Sequence, residues 1–395
     1  TGNALTTGAL NVAVGYGALT SDDLGSKSVA LGHSTLANQN YATATDSFNT
    51  AVGHSAGSAV TTGVSNTLVG GQTGEAITTG NYNSFVGARA GDAINTGSNN
   101  VAVGWATLSA DTKGDKTVAL GRSALGSQNF TTATDTYNVA VGYTAGLSIT
   151  TGTSNTLIGG LAGDALTDAD RNTAVGLGAL TTDTLGSKST ALGYGTLANQ
   201  NFTTATDSYN TGVGYNAGTA VTTGVQNTLI GAESGDALTT GNHNTAVGHN
   251  ALAVDTLGSK SVAVGNGTLG TQNFTTATNV YNVAIGYDAG VSVTTGVQNT
   301  IVGGLAGDAI TSGNANVALG YFSLGGNTLG SKSVAIGSSA LQNQNFTTAT
   351  DAFNVAVGHN AGVSVTTGVH NTLIGASAGD ALTAGGSNTV LGRDA

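Results

Sequence analysis

The chain contains no cysteine, proline or methionine, and of its 395 residues only 8% are charged and 5% aromatic. Without cysteine there is neither a disulfide framework nor a thiolate metal site. So few large side chains cannot fill a wide globular core, so any core must be thin. Because methionine is absent, the chain is expected to be a processed product or a section of something longer. No stretch approaches the roughly 18 to 20 consecutive apolar residues of a membrane-spanning helix, and no signal-peptide pattern is visible, so a soluble section without membrane insertion is expected. Basic residues are scarce too. The net charge of −11 is spread thinly over single acidic side chains, which argues against a nucleic-acid or anionic-lipid partner.

What the chain does have is glycine, 63 in all, together with 39% hydrophobic residues that recur at fixed places. Recurrence of that kind signals order, whereas disorder brings low hydrophobicity and dense charge. One anchor exposes the repeat: a Val, Leu or Ile followed by Gly, found 22 times from Gly15 to Gly392. Successive anchors are 17 or 21 residues apart and never anything else. Three coils of 17 and one of 21 make 72-residue modules at 142–213, 214–285 and 286–357. An 89-residue variant at 53–141 holds one extra coil, and partial modules fill 1–52 and 358–395. The reading is one continuous repeat domain over 1–395, since a one-dimensional stack tolerates duplication of a single coil.

Positions are numbered below from each anchor glycine. Residues −3 to −1, as in Val139-Ala140-Val141, form a short apolar and β-branched run bounded by turn residues, which reads as a strand. Aliphatic residues at +7, such as Val60, Ile149, Val221, Val293 and Val365, suggest a second strand, and a glycine at +10 in 15 of the 16 complete 17-residue coils suggests a second turn. Position −4 is Asn in 17 coils, and Ser28, Thr117, Ser189, Ser261 and Ser333 replace it elsewhere. Stacked coils would align these amides into a ladder.

The fold class expected is therefore all-β: a parallel β-solenoid of about 22 coils. Alternate strand residues face opposite sides. The aliphatic residue at −1 is expected to point inward and the residue at −2 outward, the latter mostly Ala but large at Leu68, Phe85, Leu157, Leu229, Ile301 and Leu373. An outward apolar stripe exceeds what a monomer tolerates, so self-association is expected, with three copies around a common axis as the arrangement that buries it.

Segments such as Asn172-Thr173-Ala174-Val175-Gly176 and Ser189-Thr190-Ala191-Leu192-Gly193 resemble the head repeats of trimeric autotransporter (YadA-like) adhesins. The fuller unit from Thr240 to Leu252 is similar to repeats of bacteriophage tail fibres. The resemblance covers the whole chain. It implies a left-handed parallel β-roll, homotrimeric, on a virion or bacterial cell surface, serving as an adhesive or spacer shaft.

Catalytic machinery needs a pocket, which a repeating coil supplies only where the repeat breaks, so no catalytic, cofactor or metal residues are assigned. His33, His54, His243, His249, His359 and His370 stand alone at positions of free composition and read as surface residues. Asp92, Asp164, Asp236, Asp308 and Asp380, with Glu75 in the variant module, offer one carboxylate per coil, too few for the six to eight oxygens that Ca²⁺ takes. Gly159-Gly160-Leu161-Ala162-Gly163 resembles a phosphate loop but lacks the helix start and Lys-Ser/Thr that would complete it. Lys27, Lys116, Lys188, Lys260 and Lys332 each end a turn and read as solvated charges.

The irregular feature is the 21-residue coil, which always carries two aromatics seven residues apart: Tyr41 with Phe48, Phe130 with Tyr137, Phe202 with Tyr209, Phe274 with Tyr281 and Phe346 with Phe353. These ten are the candidate contacts to a partner or neighbouring subunit. The four extra residues are expected to bulge sideways, each bulge displaying its aromatic pair, on a rod of roughly 100 Å with bulges about 19 Å apart. The function expected is a non-enzymatic, extracellular fibre shaft that associates with itself, laterally or end to end, and meets a cell-surface glycan or receptor. The alternative is a glycan-binding or ice-binding β-solenoid.

Overall fold

The computed structural model describes residues 1–395 and consists of strands and turns, with no helix long and apolar enough to cross a membrane. The chain divides into two units, Thr1–Tyr194 with Asn201–Asp207 and Gly195–Gln200 with Ser208–Ala395. Each unit holds eleven three-residue strands at positions −3 to −1. In the first unit Val12 pairs with Val29, Val29 with Thr50 and Thr50 with Thr67, always parallel. In the second, Thr211 pairs with Thr228, Thr228 with Thr245 and Thr245 with Val262 in the same register. Counted over both units, this is an all-β parallel β-solenoid of about 22 turns.

The 21-residue coils keep this register: Val118 pairs with Val139 just as Val101 pairs with Val118. Their extra residues lie beside the sheet, where Thr134–Asp135 forms a two-residue strand on Gly114–Asp115. Insertion off the sheet leaves every ladder hydrogen bond in place, which explains how one spacing substitutes for the other.

The anchor must be glycine for two separate reasons. At Gly142, φ is +143°, a region that residues with a Cβ avoid, and a Cβ there would lie 2.3 Å from the carbonyl oxygen of Gly159 in the next coil. Position −5 is also left-handed in every coil, with φ between 49° and 64°, yet it is never glycine. Backbone bonds to the preceding coil hold it there, as where Ser65 N donates to Ser47 O at 2.7 Å and Tyr82 N to Val64 O at 3.1 Å. They offset a local strain of about 1 kcal/mol per residue.

The strand faces are the reverse of the sequence expectation. Ala30, Ala51, Leu68, Phe85, Leu157, Leu229, Ile301 and Leu373, all at −2, are completely buried. The aliphatic residues at −1 face out, and Val86, Ile158, Ile230, Leu319 and Ile374 are exposed. Interior volume decides this. Leu at +4 always accompanies Ala at −2, as in Ala119 with Leu125, whereas the large −2 residues occur only where +4 is Gly. A Cβ at Gly146 would meet Leu157 Cδ1 at 2.8 Å and Leu125 Cδ2 at 2.9 Å, so the large side chains fill the space their small partners leave. Each buried Leu or Ile contributes roughly 1.5–3 kcal/mol.

The second strand expected around +7 is absent. Val60, Ile149, Val221, Val293 and Val365 are buried in the core, but each directly follows a turn and none belongs to a strand. Left-handed residues at +2 and +4, such as Ser55 and Gly57, curl the chain, and turn stacks on turn through bonds such as Gly57 N to Thr73 O at 3.0 Å.

The amide ladder is present and buried. Asn66 Oδ1 accepts the backbone N–H of Asn83 at 3.0 Å, and Asn66 Nδ2 donates to Gly80 O at 2.9 Å. Asn227 does the same in the second unit, accepting from Asn244 N at 2.9 Å and donating to Gly241 O at 2.9 Å. Position −4 thus ties the strand to the +10 turn of its own coil and to the coil above.

Candidate functional surface

Alternation puts −3 and −1 on the outer face of each sheet, and the flanking positions −5 and +1 are exposed beside them in most coils and half-buried in the rest. Position −3 is Thr, Val or Ser and −1 is aliphatic, so this face carries no charge. Its two borders differ in composition. The +1 border is rich in exposed aromatics, including Tyr16, Trp105, Tyr143, Tyr194, Tyr215, Tyr287 and Tyr321. Where rings follow in successive coils they stack: Tyr16 on His33 at 5.3 Å between centroids, and His33 on His54 at 5.2 Å. All six histidines are exposed, those two within this stack.

The −5 border holds half of the candidate aromatic contacts. Phe48, Tyr137, Tyr209, Tyr281 and Phe353 are 47–55% exposed, while their partners Tyr41, Phe130, Phe202, Phe274 and Phe346 are only 5–7% exposed. The bulge therefore displays one ring of each pair, and the other closes the interior of the insertion, which corrects the expectation that both are shown. The buried Tyr41 hydroxyl donates to Gly63 O at 2.7 Å, and burial, with the nearby Asp22 charge, pushes its pKa up to about 12.

Each displayed ring belongs to a small polar cluster. Lys27, Lys116, Lys188 and Lys332 pair with Asp46, Asp135, Asp207 and Asp351 at 2.5–2.6 Å. Lys27, Lys116, Lys260 and Lys332 lie 4.9–5.2 Å from the centroids of Phe48, Tyr137, Tyr281 and Phe353. The hydrogen bond from Lys116 holds the Asp135 carboxyl below its ordinary range. In one module Asn279 stands where the others have Asp, and Lys260 donates to the Tyr281 hydroxyl at 3.1 Å.

Beneath each bulge lies a buried polar centre that the sequence reading did not single out. Asp22, Asp111, Asp183 and Asp255 sit at +7 of the coil below, Gln39, Gln128, Gln200, Gln272 and Gln344 at +7 of the long coil, and all are fully buried. Gln128 Nε2 donates to Asp111 Oδ2 at 2.6 Å and Gln272 Nε2 to Asp255 Oδ2 at 2.6 Å. Gln128 Oε1 accepts from Asn138 at 2.9 Å, and Asp111 Oδ1 accepts backbone N–H groups of Gly114 and Phe130 at 3.1 Å each. Desolvation raises the pKa of Asp111 and of Asp255 despite these donors. The readable signal was a correlation: Ser or Thr at −4 occurs only in the long coils, the same coils that have Gln at +7.

The acidic residues at +5 are half-buried at Asp92, Asp164, Asp236 and Asp308 and at Glu75, and exposed at Asp380. Arg89 pairs with Asp92 at 2.8 Å. Asp164 accepts from Thr181 Oγ1 at 2.7 Å.

Fold and surface together define a repeating parallel β-solenoid with an uncharged outer sheet face bordered by two aromatic-bearing columns. No protein-family model matches the chain, and no curated protein matches it.

Proposed function

We propose that the chain is a non-enzymatic structural shaft of an extracellular attachment fibre, on a virion or a bacterial surface, assembled as a homotrimer through its outer sheet faces. One observation carries this reading: the −1 column exposes an unbroken aliphatic band, about 48 Å long in each unit at a strand spacing of about 4.8 Å. A band of that extent lies at the scale of patches that mark interaction surfaces. The likeness to adhesin-head and tail-fibre repeats supports the trimer and the surface location. The ice-binding alternative loses support because the threonine hydroxyls at +8 are engaged between coils, as where Thr150 Oγ1 donates to Thr167 O at 3.2 Å and Thr167 Oγ1 to Thr184 O at 3.0 Å.

The test is light scattering on the chain and on the double variant Ile158→Asp, Ile230→Asp. The expected result is a trimer for the chain and a mostly monomeric variant with an unchanged far-UV spectrum, since both positions face outward. A monomer of about 38 kDa at micromolar concentration without aggregation, or measured thermal hysteresis, sinks this reading.

A further inference from the structure

Within the +1 column one side chain shows what fits between two rings that stand two coils apart. The guanidinium carbon of Arg122 lies 5.1 Å from the Trp105 ring centroid and 5.6 Å from that of Tyr143. The backbone frame of this sandwich is a regular ladder: Ser123 N donates to Trp105 O and Thr144 N to Arg122 O, both at 3.0 Å.

The second unit repeats the frame without the filling. Leu305 N donates to Tyr287 O at 2.9 Å and Phe322 N to Gly304 O at 3.1 Å, so Tyr287, Gly304 and Tyr321 occupy the places of Trp105, Arg122 and Tyr143. The two tyrosines are 61% and 59% exposed. A Cβ on Gly304 would meet a single neighbour, Tyr321 Cδ2 at 3.8 Å, so the floor between the walls is open. Two strand steps separate the walls by about 9.6 Å, and a flat group needs roughly 3.5–4 Å on each side.

Charge selects among flat groups. No Lys or Arg occurs between Ser261 and Ser331, whereas Asp288 and Asp308 do. Asp308 has its pKa raised mainly by desolvation, with Asp288 adding repulsion. In the coil of Gly87, Arg89 at +2 pairs with Asp92 at +5, but in the coil of Gly303 the +2 residue is Leu305, so Asp308 has no cation of its own.

We propose that the slot over Gly304, between Tyr287 and Tyr321, is a binding site for an arginine side chain of a basic polypeptide partner. The guanidinium stacks between the two rings as Arg122 does within the chain, and the surroundings favour a cation because Asp288 and Asp308 are the only charged side chains between Ser261 and Ser331. A lysine ammonium has the charge without the plane and gains less between two faces. This site is independent of whether the chain is a fibre shaft.

The test titrates the chain by NMR with a short, otherwise uncharged peptide carrying one arginine, and with its lysine and citrulline counterparts. The arginine peptide is expected to bind about tenfold more tightly than the lysine peptide, and the citrulline peptide more weakly still. Gly304→Arg places the chain's own guanidinium in the slot and should cut arginine-peptide affinity about tenfold without lowering the melting temperature. Gly304→Ala, which leaves most of the opening, should bind nearly as the unaltered chain does, and Tyr321→Ala should lose affinity as Gly304→Arg does. Equal binding of arginine and lysine peptides, or undiminished binding by both Gly304→Arg and Tyr321→Ala, overturns the proposal.

Discussion

Two kinds of coil stack on the same axis in each unit and fill the same interior by opposite means. In the coil of Gly159, the centre is hydrocarbon: Leu157 and Leu166 close over Gly163, whose absent side chain makes the room. In the coils of Gly104 and Gly121, Leu108 and Leu125 fill one half, and the other half is Asp111, Gln128 and Asn138, joined by hydrogen bonds. The hydrocarbon coils tolerate variation as long as volume is kept, and Leu, Ile and Val alternate freely at +7. The polar coils do not vary in that way, because each buried donor or acceptor left unmatched costs about 1–3 kcal/mol. The polar centre is found only under the insertion, where Asp111 Oδ1 caps the N–H of Phe130 as the chain leaves the coil to form the bulge. The hydrocarbon coil makes a uniform stack. The polar coil fixes where the stack carries a side feature.

The strongest way to break this contrast is to give a polar coil a hydrocarbon side chain of similar size. Gln272→Leu removes the donor to Asp255 Oδ2 and the side-chain acceptor of Asn282, leaving a buried carboxylate oxygen unmatched and the Asn282 amide with Gly296 O alone. A loss of about 3–5 kcal/mol is expected, against less than about 1.5 kcal/mol for Leu166→Met in a hydrocarbon coil, measured by denaturant unfolding. Equal costs for the two would show that the polar centre is not a connected unit.

The sequence itself contains a milder version. Asn327 takes the place of the buried Asp in the last long module; its Oδ1 accepts from Gly330 N at 3.0 Å, and Gln344 Nε2 keeps the bond to Ser333 Oγ, at 3.1 Å, that Gln272 makes to Ser261. Asp255→Asn should therefore fold, with its main effect on pH dependence. Because desolvation raises the Asp255 carboxyl pKa in the folded chain, the folded state binds the proton more tightly than the unfolded state. Its contribution is fully present below the unfolded carboxylate pKa and is lost as pH rises through the raised folded value. Asp111, raised for the same reason, acts in the same direction. Thermal melts between pH 3 and pH 7 should show the chain losing stability more steeply than Asp255→Asn as pH rises across the carboxylate range. Parallel pH profiles for the two would remove the carboxylate from the account.

Much of this architecture was legible because it is written in spacing. Anchors 17 and 21 residues apart gave the coil count, the modules and the amide ladder, and a Val, Ala, Val run between turn residues can hardly be anything but a strand. The face of the strand was misread because −2 and −1 are both apolar and a three-residue strand carries no further alternation to set the parity. The exchange of Ala for Leu at −2 against Leu for Gly at +4 does set it, since only residues sharing an interior trade volume. The buried Asp and Gln were overlooked because polar residues in a thin coil read as surface. The left-handed conformation at −5 left no trace in composition, for residues such as Lys116, Tyr137 and Ser154 all adopt it. Among the ten candidate aromatics, the sequence shows that the rings are paired; only the fold separates the ring that seals the bulge from the ring that faces out.

The smallest expected effect tests whether the displayed rings depend on the ion pairs beside them. Lys260 sits near the Tyr281 ring with Asn279 where four other modules have Asp, and it already donates to the Tyr281 hydroxyl. Asn279→Asp would rebuild the pair seen between Lys116 and Asp135. An exposed ion pair is screened by water and salt, so the melting temperature should rise by less than about 2 °C and the gain should vanish in high salt. If the ring is instead positioned by this pair, Asn279→Asp should slow the Tyr281 side-chain motion seen by NMR to match Tyr137. A ring whose dynamics do not change shows that the left-handed backbone at −5, shared by both tyrosines, is what presents it.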